Sequence, residues 1–273
     1  MQLPEQDGKL PTLRRQKILL MLEREGKVMA SDLSQHFKVS EDTIRRDLNE
    51  LGRAGLLQRV HGGGLPRSSD SGKDYLTRAQ QPSDIKRELA RQAARHVRDG
   101  QVVMFDSGTT TLNIARALPI DIEITAVTNS PEVAIALGRY EGVRVLMIGG
   151  ELTPDAMAVT GHQAVEMLQG IQADLCFLGI CALHSEAGIT VSSFAEVATK
   201  RAMIQRAGYV VAAVTADKLG AVEAFSVAPA RGIHELITES DVPDGVLDGF
   251  RAQGVAVERA ELSGWRGISG SGH

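Results

Sequence analysis

Asp106-Ser107-Gly108-Thr109-Thr110-Thr111 sets a carboxylate, a glycine and four hydroxyls in six consecutive residues, directly after the apolar run Val102-Val103-Met104-Phe105. That order predicts a strand end turning into a helix, where amides freed by the glycine join the hydroxyls in a neutral cradle for phosphate. An ordinary strand-to-helix turn capped by Ser and Thr uses the same residues. Ligands gather at the carboxyl ends of strands in open α/β sheets, which favours the phosphate. A neutral cradle needs a cation, and Lys200 and Lys218 each offer a point charge. Lys200 also lies four residues after Glu196, the spacing of a helix-surface ion pair, and Lys218 fits a solvated loop equally well. Thr128-Asn129, Gly149-Gly150 and Gly179 end three further apolar runs. Each serves as a tight turn; together they are what a shared ligand crevice requires.

A different chemistry is spaced along residues 40–61. Ile44, Leu48 and Leu51 fall at i, i+4 and i+7, so at about 100° per residue they form one narrow buried stripe. Thr43, Arg45, Arg46 and Asn49 lie off that stripe, and Ser40 is placed to cap the helix and to donate to a phosphate. Base edges in the major groove are read by hydrogen bonds while phosphates take cations, and these side chains supply both. The following Gln58-Arg59-Val60-His61-Gly62-Gly63 reads as a strand, a glycine turn and a return strand, a wing that brings Arg59 to a phosphate and His61 to its tip. A small protein-interaction domain with solvated arginines fits the spacing too.

Stepwise along the chain, helices are expected over 12–26, 31–37 and from Ser40, then the wing. Residues 68–82 lie in a stretch rich in Ser, Gly, Asp and Pro and read as a linker. A helix is expected over 84–99. Apolar runs at 101–106, 122–128, 143–148, 175–179, 209–215, 233–238 and 255–257 then alternate with helical segments, which predicts a mostly parallel sheet with helices packed on it. Residues 263–273 read as a flexible tail.

Composition narrows the classes. With 273 residues, 43% of them hydrophobic, there is material for two cored domains, which excludes a disordered chain or a disulfide-stapled miniprotein. No apolar run reaches the roughly 18–20 residues of a membrane span, so a cytoplasmic protein without membrane contact is expected. Residues 1–67 carry 12 basic against 9 acidic side chains, a net +3, while 68–273 carry 18 against 25, a net −7; the overall −4 hides a basic module ahead of an acidic one. Cys176 and Cys181 allow no disulfide framework, and Cys176, inside an apolar run, reads as a small buried hydrophobe. The seven histidines form no H-x-x-x-H pair, so neither a metal nor a cofactor is expected.

The run Val39-Ser40-Glu41-Asp42-Thr43-Ile44-Arg45-Arg46-Asp47-Leu48, followed by Leu51, Gly55, Arg59 and His61-Gly62-Gly63, resembles the helix-turn-helix of DeoR-family bacterial regulators. Met29-Ala30 stands where that family often has Ser or Thr at the start of the second helix, which leaves Ser31 to cap it. The segment 86–258 resembles the family's effector domain through Asp106 to Thr110, Thr128-Asn129, Gly149-Gly150-Glu151, Gly161, Asp174, Phe177 to Gly179, Gly188, Glu196, Lys200-Arg201 and Asp217-Lys218. Cys181-Ala182 departs from the family's usual Ser and Gly.

The resemblance implies a winged helix-turn-helix over 12–67, then a ribose-5-phosphate-isomerase-like effector and oligomerisation domain over 83–262. It further implies a dimeric or tetrameric repressor of a carbohydrate operon that binds operator DNA and is relieved by a phosphorylated sugar. The competing class is a sugar-phosphate isomerase using Asp106, Asp174 and Glu186; proton shuttling needs a pair of groups at one substrate carbon, and no local motif holds such a pair. A nucleotide site is disfavoured because no G-x-x-x-x-G-K-[ST] occurs.

Overall fold

The computed structural model describes residues 11–68, 70–80 and 84–260; the expected tail at 263–273 lies outside them. The chain begins with α1 (Pro11–Glu25), β1 (Val28–Met29), α2 (Ala30–Phe37), α3 (Glu41–Arg53), β2 (Gln58–Val60) and β3 (Gly63–Leu65). Gly26 takes φ +68°, the left-handed conformation that stops α1. Ile18, Leu22, Leu33, Phe37, Ile44 and Leu48 close a small core under three helices. β1, β3 and β2 pair as an antiparallel ribbon beside it, which is the wing. Arg14 reaches α3 to pair with the buried Asp47 at 2.5 Å. Ser31 does not cap α2. Met29 is the N-cap residue with no side-chain bond, Ser31 Oγ bonds Asp32, and the Ala30 amide donates to the Gly62 carbonyl at 2.7 Å.

The stretch read as a linker holds a short helix, α4 (Tyr75–Ala79), capped by Asp74. Its Tyr75 side chain is buried, and the Tyr75 amide donates to the Asp155 carbonyl at 2.8 Å. The larger domain continues with α5 (Asp84–Ala94), which ends five residues short of the expected helix, then β4 (Val102–Phe105), α6 (Thr109–Arg116), β5 (Ile124–Thr128), α7 (Pro131–Leu137) and β6 (Val143–Met147). There follow β7 (Glu151–Thr153), β8 (Ala158–Thr160), α8 (His162–Gln169), β9 (Ala173–Phe177), β10 (Ala182–His184), β11 (Gly188–Val191), α9 (Ala195–Arg206) and β12 (Ala207–Ala213). The described chain closes with β13 (Phe225–Ala228), β14 (Glu235–Glu239), α10 (Asp244–Arg251) and β15 (Ala256–Ala260).

Seven strands form one sheet in the order β15-β14-β12-β9-β4-β5-β6, every neighbouring pair parallel. Alternate side chains serve opposite layers, as the two-residue period of a strand requires. Val103 and Phe105 pack with α5, α6 and α7, whereas Met104 and Cys176 pack with α8, α9 and α10. From β4 the chain winds outward through β5 to β6, then returns to the other side of β4 with β9. The β4–β9 boundary is therefore the topological switch point, and its carboxyl edge is open to a ligand.

Candidate functional site

On the small domain, α3 buries Ile44, Leu48 and Leu51 and leaves Arg45, Arg46 and Asn49 exposed, with Thr43 half-buried. Ser40 accepts the Thr43 amide at 3.3 Å, so the first turn is fixed by its cap. Arg45 pairs along the helix with Glu41 at 3.0 Å. Arg59 on the wing does not stand free. Its Nε donates to Asn49 at 3.0 Å and a second nitrogen to the Gly63 carbonyl, tying wing to helix. Partial burial, and then the positive charge of Arg45, hold the Arg59 guanidinium below its ordinary pKa. His61 is exposed at the tip of the wing. The expected DNA-facing residues thus lie on α3, at its cap, or on the adjacent wing.

The second site lies at the switch point. Gly108 takes φ +138° and provides no side-chain cap to α6, so the first-turn amides at 109–111 face the cleft with the hydroxyls around them. A Cβ on Gly179 would meet the Ser107 carbonyl at 2.1 Å; only glycine lets the exits of β4 and β9 touch. Asp106 lies fully buried beneath. It accepts from the Ser107 amide at 2.8 Å and the Gly179 amide at 3.0 Å, and it takes the Lys200 ammonium at 2.5 Å. Lys200 also donates to the Gly179 carbonyl at 2.9 Å and lies 3.6 Å from Glu196. Burial alone would lower the Lys200 pKa, but Asp106 and then Glu196 reverse the direction and hold it protonated above its ordinary value. Glu196, buried, is pushed up, with Lys200 opposing.

Lys218 enters the same cleft from beyond β12. It donates to the Ile180 carbonyl at 3.0 Å and lies 3.4 Å from Asp70, a residue of the interdomain segment. Burial pushes the Asp70 carboxyl up, but Lys218 and Lys86 more than offset this and leave it below the usual value. Ser107 to Thr111, Lys200 and Lys218 therefore meet along one cleft.

The other expected members lie elsewhere. Thr128 and Asn129 are buried under the β7–β8 hairpin, where Thr128 accepts the Ser130 amide and the Asn129 carbonyl accepts the Val159 amide. Gly149 and Gly150 are exposed beyond β6, and Gly150 runs close against Thr160. Neither pair lines the cleft with 107–111, because β5 and β6 lie successively farther from β9. The three carboxylates of the isomerase reading also part company: Asp174 accepts the Val102 amide at the opposite edge of the sheet and Glu186 sits in a hairpin turn. Cys176 is fully buried and its thiol pushed up by that burial. Cys181, half-buried, lines the cleft, as does Arg78. Sequence reading missed Arg78 and Asp70 as site members; their one signal was Asp74 placed to cap a short helix at Thr77.

Away from the cleft, His96, Glu235 and Glu258 bring ligand atoms within 4.8 Å of one another. Burial, and further the neighbouring Glu258, raise the Glu235 carboxyl against the hydrogen bond from Tyr209.

Comparison with known proteins adds an independent line. The model of the DeoR-like helix-turn-helix domain matches residues 14–69, and that of the DeoR C terminal sensor domain matches 81–240. The chain belongs to the DeoR family. This DeoR-family chain is 36% identical over 250 residues to the HTH-type transcriptional regulator GlpR of Haloferax volcanii, covering 91% of the chain and 97% of that protein. It is 30% identical to the glycerol-3-phosphate regulon repressor of Escherichia coli K12, covering 86% and 94%. The solved sorbitol operon regulator SorC of Klebsiella pneumoniae overlaps 87% of the chain and 98% of its own at 11% identity and a TM-score of 0.41. Ribose 5-phosphate isomerase of Methanocaldococcus jannaschii overlaps 47% and 51% at 16% identity and a TM-score of 0.35. This member of the family is a DNA-binding transcriptional regulator. No helix among its described residues is long and apolar enough to cross a membrane.

Proposed function

We propose that this regulator represses a carbohydrate-metabolism operon in the cytoplasm and releases its operator when a phosphorylated sugar or related metabolite binds the switch-point cleft. The observation that carries the reading is the convergence of the Ser107–Thr111 hydroxyls and first-turn amides with two lysines at the one sheet edge where the strand order reverses. Three relatives bear repressor names for glycerol-3-phosphate regulons and one, from Bacillus subtilis, is named the transcriptional repressor GlcR, which favours repression. A homo-oligomer, dimer or tetramer, is part of the proposal, because one helix-turn-helix makes too few base contacts for an operator. Effector binding need shift the balance between domain arrangements by only about 1–3 kcal/mol.

A thermal-shift screen of phosphorylated and unphosphorylated sugars, followed by operator mobility shifts with each hit, tests the reading. A phosphorylated hit that weakens operator binding is expected. Thr109→Ala should bind operator normally yet ignore the hit; equal stabilisation by phosphorylated and unphosphorylated sugars would overturn the assignment.

A further inference from the structure

The two lysines do not give the cleft a net positive charge. Lys200 lies between Asp106 and Glu196, a trio that sums to one negative charge, and Lys218 is matched by Asp70. Even with Lys86, which shares Asp70 with Lys218, those groups carry no net positive charge, so a phosphate meets no net attraction from them. Arg78 of α4 changes the balance. Its side chain lines the narrow cleft together with Ser107–Thr111 and also both wider grooves beside it. Its guanidinium donates to the backbone carbonyls of Asp74 and Asp155, each at 3.4 Å, and lies 6.0 Å from the Tyr75 ring centre. Among the described residues it makes no ion pair with a carboxylate within 4 Å, although Glu196 and Asp70 feel its charge at longer range. The narrow cleft leaves about 20 Å³ free, and it shares Arg78, Ala156, Cys181 and Glu196 with a groove of about 970 Å³, so an anion approaching the loop from that groove passes Arg78.

Building on the reading that the Ser107–Thr111 loop receives a phosphate, we propose that Arg78, carried by the segment between the two domains, is the cationic anchor of the ligand's phosphate. A guanidinium presents paired N–H donors in a plane that matches two phosphate oxygens, and one now held by weak carbonyl contacts is exchanged for charge-assisted bonds. Lys200 then acts through Asp106, holding the loop in shape, and is a positioning residue. The chain that leaves the wing and leads to that segment is tied to the larger domain: the Pro66 carbonyl accepts the Val222 amide at 3.0 Å and Arg67 pairs with Glu223 at 2.9 Å. Ligand and wing therefore share one stretch of backbone.

The test uses inorganic phosphate, the group common to all such ligands, titrated calorimetrically into the full chain, its Arg78→Gln and Arg78→Lys variants, and Thr109→Ala. Gln keeps a donor at the Nε position for the Asp74 carbonyl, gives up only the long bond to Asp155 and removes the charge, so ligand-free melting and operator affinity should stay close to the parent. Phosphate affinity is expected to fall about tenfold to a hundredfold in Arg78→Gln and to return in part in Arg78→Lys. Parent-like affinity in Arg78→Gln alongside a loss in Thr109→Ala refutes the Arg78 anchor and leaves the loop site standing. No phosphate binding by the parent, or binding that neither position affects, refutes both.

Discussion

The proposed DNA-reading face and the proposed ligand cleft are both built on charge, yet they hold it in opposite states. Arg45 and Arg46 stand in water, and the Arg45 side chain keeps 57% of its surface exposed beside Glu41. An exposed pair of that kind is worth about 0–1 kcal/mol and yields readily to a phosphate. The Lys200 side chain is 3% exposed and Asp106 fully buried, so each charge depends on the other. A surface that must slide along DNA gains from loosely held cations. A cleft that must keep two loop exits in register gains from a fixed pair.

The sharpest way to break this contrast is Asp106→Ala. It takes from the buried Lys200 ammonium the nearer of its two carboxylates and from two amides their acceptor, and should cost about 3–5 kcal/mol in a urea titration. A loss under about 1 kcal/mol would mean the pair carries no structural weight. Arg46→Ala, on the exposed face, should leave unfolding unchanged and cost operator binding about 1–3 kcal/mol in mobility shifts at fixed salt. Unchanged affinity removes Arg46 from the interface. Arg59 lies between the two extremes, partly buried and already bonded. Arg59→Ala should weaken specific and nonspecific DNA alike and lower the salt slope by about one unit; an unchanged slope with a changed base preference would show that it acts by holding Asn49.

The smallest effect concerns pH. The His184 Nδ1 accepts the Glu186 and Ala187 amides at 3.0 and 3.3 Å, and burial lowers its pKa. Folding therefore favours the neutral ring. Its contribution is present above the ordinary histidine value of about 6.5 and is lost as pH falls through the lower folded value. Melting curves from pH 7.5 to 5 should show a decline that His184→Gln flattens; parallel curves would assign the decline to other groups.

The long apolar runs made the sheet legible: each of the seven expected strands is one of the seven in the parallel sheet, and the five inner ones, covered on both faces, read as continuous hydrophobic stretches. The short strands β7, β8, β10, β11 and β13 were not legible, since three or four residues give no period to count. The α3 face could be read from one helix turn to the next because its members are local. The cleft could be read only in part. Lys200 and Glu196 stand at helix spacing, but the partner that fixes Lys200 is Asp106, 94 residues away. Asp70 and Arg78 were hidden in a stretch whose composition reads as linker, where a five-residue helix leaves no amphipathic trace.

The pairing of β4 with β9 has a bearing on synthesis. Val102 and Asp174 bond across 72 positions, so the centre of the sheet closes only after β9 has been made. The N-terminal module rests on local contacts and can fold as soon as it leaves the ribosome. At about 5–20 residues per second, a nascent chain has a folded DNA reader on the order of ten seconds before it has a place for ligand. A chain broken in that interval would carry a folded DNA reader without a ligand site and without the larger domain that pairs it, so premature termination beyond the wing yields a single reader that answers to no metabolite and grips an operator weakly.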